Sequence, residues 1–364
     1  MMHNATAMTE SLQSVAPRRL QRNVPLAPLT TLDIGGPAKS FVRAESVDEI
    51  REVMAWAGAQ REPLFVLGSG SNVLIADEGF DGVVLQIDLR GITVRDESAE
   101  AVMVYVAAGE RWDDFVAFAA DRAWAGIECL SGIPGLTGAT PIQNVGAYGQ
   151  EVSETIVRVE AIERDTGRVV TLTNKECGFG YRQSVFKNAA KDRYIVAGVT
   201  FRLKPRGAAT IRYPELQKYL DENDVDPGDL RRVRDAVIAI RKRKGMVLDP
   251  SDPDTRSDGS FFMNPVMTPL QFDEFLRRAA MNDVPHFPSG DQIKLSAAWL
   301  IEQAGFHKGF VHGNVGLSSK HTLAVINRGG GTAREVLDLV GMIQERVRET
   351  FGVEMQPEPN FVGF

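Results

Sequence analysis

Hydrophobic residues recur along the chain in two patterns, and each pattern predicts one type of secondary structure. Short apolar runs between glycine-rich turns, at Phe65–Leu67, Val73–Ile75 and Val83–Leu85, predict β-strands. The stretch from Ser46 to Ala57 has an acidic first turn and apolar residues at helical spacing, which predicts a helix. The region up to about residue 89 is therefore predicted to be α+β.

The same two patterns continue through the middle of the chain. Strands are predicted at Val102–Val106, Val157–Ile162, Val169–Leu172 and Tyr194–Leu203, and a helix is predicted at Asp113–Arg122. These elements indicate a second α+β unit.

The last third of the chain mixes helices and strands as well. Helices are predicted at Pro269–Met281, Ile293–Ala304 and Ala333–Phe351, and a strand at Thr322–Asn327. The preceding run, Asp249–Asp258, consists of polar residues and proline, and we interpret it as a linker or mobile loop because nothing in it can bury. A domain boundary is expected nearby.

Length and charge narrow the classes of function. A chain of 364 residues with 43% hydrophobic residues can form two or three cores. Its net charge of -7 gives no overall attraction to nucleic acid or to an anionic membrane, so neither is an expected partner. The basic stretch at residues 231–244 carries apolar residues at helical spacing, which favours a solvated helix face.

Cysteine and histidine usage adds two expectations. Cys129 and Cys177 form no disulfide framework, which fits a reducing compartment, and a cytoplasmic location is expected. The first twenty residues contain no apolar core of signal-peptide length, and no apolar run reaches about eighteen residues. No histidine lies at metal-ligand spacing from cysteine or acidic residues, so no metal site is predicted.

Two glycine-rich segments are candidates for binding a ligand. Leu67–Val73 (LGSGSNV) is followed by a strand instead of a helix, which argues against a dinucleotide-binding Rossmann turn, but its backbone N–H groups can cradle a pyrophosphate. Gly126–Gln150 is rich in glycine yet too apolar for a disordered linker, and it lets the backbone approach a flat ligand closely. A tight turn and an irregular core loop are the alternative interpretations of the two segments.

Four motifs, in order, resemble the FAD-binding half of the UDP-N-acetylenolpyruvoylglucosamine reductase family. They are Thr30-Thr31 with Ile34-Gly35-Gly36, Leu67 to Asn72, Ile133-Pro134-Gly135 with Pro141 to Asn144, and Gly146 to Gly149. The resemblance implies a flavin fold of vanillyl-alcohol-oxidase type, with two α+β subdomains followed by a C-terminal α+β substrate-binding domain. The corresponding ranges are 20–90, which the tail 352–364 can join, then 91–248, and 249–351.

The resemblance also implies non-covalent FAD as cofactor and NADPH as cosubstrate. The pyrophosphate segment contains no His or Cys that could form a covalent link. The residues implied to bind FAD are Thr31, Gly68, Ser69, Gly70, Ser71, Asn72, Ser131, Ile133, Pro134, Gly135, Gly138, Gln143, Asn144, Gly146, Ala147, Tyr148 and Gly149.

Three catalytic residues are implied by matches to family motifs. Arg182 lies in Tyr-Arg-Gln-Ser-Val-Phe-Lys, and an always-charged guanidinium can hold a carboxylate or an enolate oxygen. Ser260 lies in Gly-Ser-Phe-Phe-Met-Asn-Pro, where the family's serine donates a proton. Glu358 lies in the terminal Pro-Glu segment, although Pro359 and Asn360 depart from the family's usual Val and basic residue.

The expected substrate is UDP-N-acetylglucosamine enolpyruvate, which the enzyme would reduce to UDP-N-acetylmuramate in peptidoglycan precursor synthesis as a monomer. Residues implied to contact it are Tyr181, Tyr213, Lys244, Asn264, Lys294 and His321. A substrate-covering loop is implied at Asn282–Gln292, with Phe287 where a tyrosine is expected. Two other interpretations remain open at this point, an oxidase of the same flavin fold and a nucleotide-sugar-binding protein without redox function.

Overall fold

The computed structural model describes residues 16–281 and 283–364. Residues 1–15, most of the stretch inspected for a signal sequence, and Asn282, where the expected covering loop begins, lie outside the described residues. The chain divides into two compact units. The first consists of the chain up to Val24 with Ala38–Ser69 and Asp81–Lys242, and the second consists of Pro25–Pro37, Gly70–Phe80 and Arg243–Phe364. The division into three domains stays a prediction.

Strands are spread over the whole described chain. They are β1 (Gln21–Pro25), β2 (Pro37–Ala44), β3 (Leu64–Leu67), β4 (Val73–Ile75), β5 (Phe80–Ile87), β6 (Ile92–Glu97), β7 (Val102–Ala107), β8 (Trp124–Ala125), β9 (Gly146–Ala147), β10 (Gln150–Glu151), β11 (Ile156–Glu163), β12 (Val169–Thr173), β13 (Tyr194–Pro205), β14 (Val266–Met267), β15 (His286–Ser289), β16 (Gln292–Leu295), β17 (Val311–His312), β18 (Val315–Leu317), β19 (Val325–Asn327) and β20 (Asn360–Val362).

Helices alternate with these strands. They are α1 (Val47–Gln60), α2 (Trp112–Asp121), α3 (Asn174–Cys177), α4 (Pro214–Glu222), α5 (Leu230–Arg243), α6 (Pro269–Ala279), α7 (Ala297–Gln303) and α8 (Ala333–Phe351). No helix among the described residues combines the length and the apolar character that crossing a bilayer requires.

The first unit is built on two sheets. One has the strand order β1-β2-β5-β3, with β3 and β5 parallel, and the other has the order β12-β11-β13-β7-β6 with β8 paired to β13. Helix α1 connects β2 to β3 of the first sheet and is capped by Ser46, whose side chain accepts a hydrogen bond from the backbone of Glu49. Its buried face packs into the same core as Trp112, Phe115 and Phe201.

The second unit is organised around helix α8. Thr332 and Glu335 form a capping box at its start, and Gly352 ends it in the left-handed conformation. The face predicted from the sequence is buried against Phe261 and Phe262 among other core residues. Two small sheets, β14-β16-β15 and β17-β18-β19, and the parallel pair β20-β4 complete this unit.

Two expectations from the sequence are wrong in this unit. The helix predicted at Ile293–Ala304 is strand β16 followed by helix α7, because the side chain of Ser296 accepts from the backbone of Trp299 and starts the helix there. The run Asp249–Asp258 is not a loose linker, since Asp254, Thr255, Ser257 and Asp258 are buried. The carboxylate of Asp254 accepts hydrogen bonds from Ser318 and Ser319, and this polar network replaces the apolar contacts that the run lacks.

Both cysteines are expected to be chemically inert in the folded protein. Cys129 and Cys177 are free and buried, and burial raises the pKa of each thiol to about 12. Since the thiolate is the reactive species, an aromatic disulfide reagent at neutral pH should label neither thiol in the native state and both after unfolding in denaturant. Rapid labelling of the native protein would contradict this burial.

Candidate active site

The turn between β3 and β4 is shaped by a glycine that no other residue can replace without strain. Gly70 has a φ of +66°, and a Cβ on it would lie 2.1 Å from the carbonyl oxygen of Leu29. Its carbonyl accepts a hydrogen bond of 2.9 Å from the backbone of Thr31. Its neighbours with polar side chains are half-buried, namely Ser69, Ser71 and Asn72. Close-packed backbone with short polar side chains suits a pyrophosphate, and the turn fits the phosphate end of FAD.

The second glycine-rich segment is fastened at its two ends by buried polar side chains. The carboxylate of Glu128 accepts from the backbone of Gly126 at 2.7 Å and from the side-chain amide of Gln150 at 3.2 Å. Gln150 in turn accepts from the backbone of Cys129 at 3.0 Å. These contacts close Gly126–Gln150 into a fixed loop, which the sequence pattern did not reveal.

An ion pair supports the middle of this segment. Asp113, at the start of α2, accepts from the backbone of Gly132 at 2.5 Å and pairs with both terminal nitrogens of Arg234 on α5 at 2.5 and 2.7 Å. Burial acts to raise the pKa of Asp113, but the hydrogen bonds from Arg234 and Gly132 outweigh it, and the pKa lies below its usual range. A Cβ on Gly138 would lie 2.5 Å from the Cβ of Ala108, so the segment lies directly on the sheet.

Two of the residues predicted to bind FAD are used to hold the shape of the segment. Ser131 is buried and donates to the carbonyl of Glu128 at 2.6 Å. The buried Asn144 donates to Glu151 and to the carbonyl of Gly180, and accepts from the backbone of Ser153. Other members of the predicted set are half-buried, namely Ile133, Pro134, Gly135, Gln143, Gly146, Ala147 and Tyr148, while Gly149 is exposed.

The structure brings Arg182 to this glycine-rich segment. Its Nη2 donates to the carbonyl of Gly146 at 3.0 Å, and Ser184 donates to the carbonyl of Ile142 at 2.5 Å. The backbone of Arg182 is left-handed, with a φ of +54°. An unfavourable φ at a side chain of this size commonly costs about 1–3 kcal/mol and is concentrated at functional sites. The arginine is therefore held in one orientation at the edge of the segment.

Ser260 and Glu358 lie on facing backbone segments of the second unit. The backbone of Glu358 donates to the carbonyl of Phe261 at 2.8 Å, Met263 donates to the carbonyl of Gln356 at 2.9 Å, and Phe262 and Pro357 form an antiparallel bridge. Both predicted catalytic side chains are half-buried. The side chain of Asn72 lies 3.5 Å from the carbonyl of Glu358, so part of the predicted pyrophosphate turn reaches the same place.

The predicted substrate contacts fall into both units. In the first, Tyr148 and Tyr213 meet edge to face at 5.3 Å, burial raises the pKa of both phenols, and Tyr181 lies under the guanidinium of Arg182. In the second, Asn264 accepts from the backbone at the start of α7, and Lys294 lies on β16 opposite Phe287.

Lys244 and His321 are also in the second unit. Lys244 is half-buried and follows α5 by one residue. The Nδ1 atom of His321 accepts from the backbone of Leu323 at 3.1 Å. The ring of His321 therefore stabilises a turn.

One buried polar residue next to the site escaped sequence analysis. Asp258 precedes Gly259-Ser260 and is 7% exposed. Burial raises its pKa to about 8, against its contacts with the Thr31 hydroxyl and the backbone N–H of Val73. Within a run of polar residues, nothing in the sequence distinguishes the one carboxyl that is buried.

Two family models match separate parts of the chain. Residues 38–173 match the model of an FAD binding domain, and residues 250–362 match the C-terminal domain of UDP-N-acetylenolpyruvoylglucosamine reductase. The expected fold class, an α+β flavoprotein with a C-terminal α+β domain, is confirmed, as is FAD as its cofactor.

Full-length relatives share the same name. The UDP-N-acetylenolpyruvoylglucosamine reductase of Thermobifida fusca is 47% identical over 94% of this chain and 98% of its own length, and that of Mycobacterium marinum is 44% identical over 95% and 96%. The crystal structure of the Thermus caldophilus reductase superposes with a TM-score of 0.64 at 26% identity, covering 94% of this chain and 99% of the other. The chain belongs to the UDP-N-acetylenolpyruvoylglucosamine reductase family and is an FAD-dependent oxidoreductase.

Proposed function

We propose that the protein reduces UDP-N-acetylglucosamine enolpyruvate to UDP-N-acetylmuramate, with NADPH as the source of electrons, and that Arg182, Ser260 and Glu358 carry the chemistry. The antiparallel pairing of the Ser260 and Glu358 segments is the observation that supports this most directly. Reduction of an enol ether acid needs a proton donor next to an acidic group. Ser260 would be the donor and Glu358 the acidic group, and the two lie on backbone segments that are hydrogen-bonded to each other.

FAD would be held by the two glycine-rich segments. The Gly68–Asn72 turn suits the pyrophosphate, and the half-buried Gly146 and Ala147 are small residues that would let a flat heterocycle approach the backbone. When bound, FAD would supply the two-electron redox chemistry that links oxidation of NADPH to reduction of the enolpyruvyl group.

The side chains of the chain handle charge and protons. Arg182, oriented by Gly146, would bind the carboxylate of the substrate and stabilise the enolic oxygen on which negative charge develops. Glu358 would complete the hydrogen bonding of that enolic acid. Ser260 would pass its hydroxyl proton to the neighbouring carbon, and solvent would return a proton to the serine.

Location and assembly form part of the same proposal. The free, buried cysteines suit the reducing cytoplasm, where NADPH is available. We also expect a monomer, as the family resemblance implies.

An anaerobic two-step titration tests the proposed reaction. Adding NADPH to the purified protein should bleach the visible flavin band, and adding UDP-N-acetylglucosamine enolpyruvate should then restore it. Recovery of the band only on admitting oxygen would favour an oxidase of the same fold. A protein without any flavin band would favour a nucleotide-sugar-binding protein.

A further inference from the structure

Three acceptors converge on the single hydroxyl of Thr31. Its Oγ1 lies 2.7 Å from the carbonyl oxygen of Ser257, 3.4 Å from that of Gly70, and 3.2 Å from Oδ1 of Asp258. A threonine hydroxyl has one hydrogen to donate and two lone pairs that accept. The shortest contact, to Ser257, takes that hydrogen, and the carbonyl of Gly70 already accepts from the backbone of Thr31.

The contact with Asp258 then has no hydrogen unless the carboxyl provides it. Two oxygens 3.2 Å apart, one of them charged, would repel each other in a site that excludes water. The second oxygen, Oδ2, is buried and has no hydrogen-bond partner among residues 16–281 and 283–364. A neutral carboxylic acid that donates to Thr31 removes this repulsion and leaves Oδ2 as an uncharged carbonyl oxygen, while the backbone N–H of Val73 remains a donor to the carboxyl group.

The hydrogen bonds around Asp258 connect the segment that contains Ser260 to the Gly68–Asn72 turn. The hydroxyl of Thr31 donates to the carbonyl of Ser257, and the backbone N–H of Thr31 donates to the carbonyl of Gly70. The hydroxyl of Ser257 in turn accepts from the backbone of Gly259 at 3.2 Å. Gly259 has a φ of +75° and leads directly into Ser260. Beyond Ser260, the backbone of Phe261 donates to the carbonyl of Leu323 at 2.8 Å, so the serine lies between two fixed points.

We propose that Asp258 carries a proton in the folded protein and donates it through a hydrogen bond to Thr31, which positions both the Gly70 turn and the Ser260 segment. Asp258 is a positioning residue, since it acts through Thr31 and the backbone. The raised pKa of its buried carboxyl agrees with this assignment. The functional part of the inference rests on the proposed flavin and serine roles, whereas the protonation state does not.

Flavin affinity of four single variants tests the positioning role. Asp258→Asn keeps a neutral donor, because its amide N–H replaces the carboxyl O–H, and should bind FAD within about threefold of the wild type. Asp258→Ala and Thr31→Val each leave a buried hydrogen bond unmade and should weaken FAD binding about tenfold or more, measured by recovery of flavin fluorescence on release. Thr30→Val is the matched control, since the hydrogen bonds of the Thr30 hydroxyl within the described residues stay in its own turn, where it contacts the carbonyls of Ala27 and Ile34 and accepts from the backbone of Ile34.

Several outcomes would overturn the proposal. Asp258→Asn releasing FAD as readily as Asp258→Ala would mean that the charged carboxylate is required. Equal FAD affinity of Thr31→Val and Thr30→Val would mean that the Thr31 hydroxyl has no special role, and this pair decides the matter if Asp258→Ala fails to fold.

The protonation state has its own spectroscopic test. The infrared spectrum of the wild type at neutral pH, minus that of Asp258→Asn, should contain the C=O band of a carboxylic acid. Carboxylate bands in its place would contradict the proposal. This result does not depend on turnover, so a protein that failed the anaerobic titration could still confirm or refute the protonated Asp258.

Discussion

Replacing Ser260 by alanine is expected to lower turnover by roughly 100- to 10,000-fold while leaving the yellow flavin bound, because removing a proton donor that acts at the transition state costs about that much. Ser260 is not among the residues expected to bind FAD, so cofactor content should not change. The loss should also fall on one half-reaction. Stopped-flow reduction by NADPH should keep its wild-type rate, whereas reoxidation by the enolpyruvyl substrate should become slow.

A matched control separates this effect from damage to the second unit. Ser251 is exposed, and its hydroxyl contacts only the carboxylate of Asp249 in the same loop. Ser251→Ala should therefore reoxidise at the wild-type rate. Fast reoxidation of Ser260→Ala would remove this serine from the mechanism, and slow reduction by NADPH would indicate a disturbed flavin site instead of a lost proton donor.

The predicted elements that proved right share a local cause. Helix α8 has an apolar face of seven buried residues, a capping box at Thr332 and a glycine immediately after its last residue, so its bounds follow from the sequence alone. Strands β4 and β7 likewise consist of uninterrupted apolar runs, and β13 begins with one from Tyr194 to Val199. The error at Ile293–Ala304 arose because apolar residues of β16 happen to continue the helical spacing of α7, and only the cap at Ser296 separates them.

The polar parts of the site could not be predicted in the same way. Asp254 and Asp258 lie in a polar run whose composition predicts exposure to solvent, yet both are buried. Asp254 contacts Ser318, more than sixty residues away in the sequence, and Asp258 contacts Thr31, more than two hundred residues away. Periodicity reports which faces are apolar and carries no information about such pairings. The catalytic residues were named only through family motifs, and their roles stay predictions until the variants are measured.

Asp258→Asn is expected to become more stable relative to the wild type as the pH rises. An aspartate in the unfolded chain loses its proton near pH 3.8, whereas the buried carboxyl in the folded protein keeps it up to a pKa of about 8. Below both values the two states hold the same proton and there is no penalty. Between them the unfolded state is favoured by about 1.4 kcal/mol for each pH unit, and asparagine is free of this cost.

Urea unfolding at two pH values measures this linkage. From about pH 5.5 to 7.5, the stability of Asp258→Asn relative to the wild type should rise by about 3 kcal/mol, which is two pH units at the stated slope. Asp254→Asn is the control, because the Asp254 carboxylate is stabilised by hydroxyls of Ser318 and Ser319 and its loss should destabilise the protein similarly at both pH values. A pH-independent difference for Asp258→Asn would mean that the carboxyl is ionised in the fold. A rising difference would show that the protein keeps a buried acid at the expense of stability, which is expected where the acid positions a functional segment.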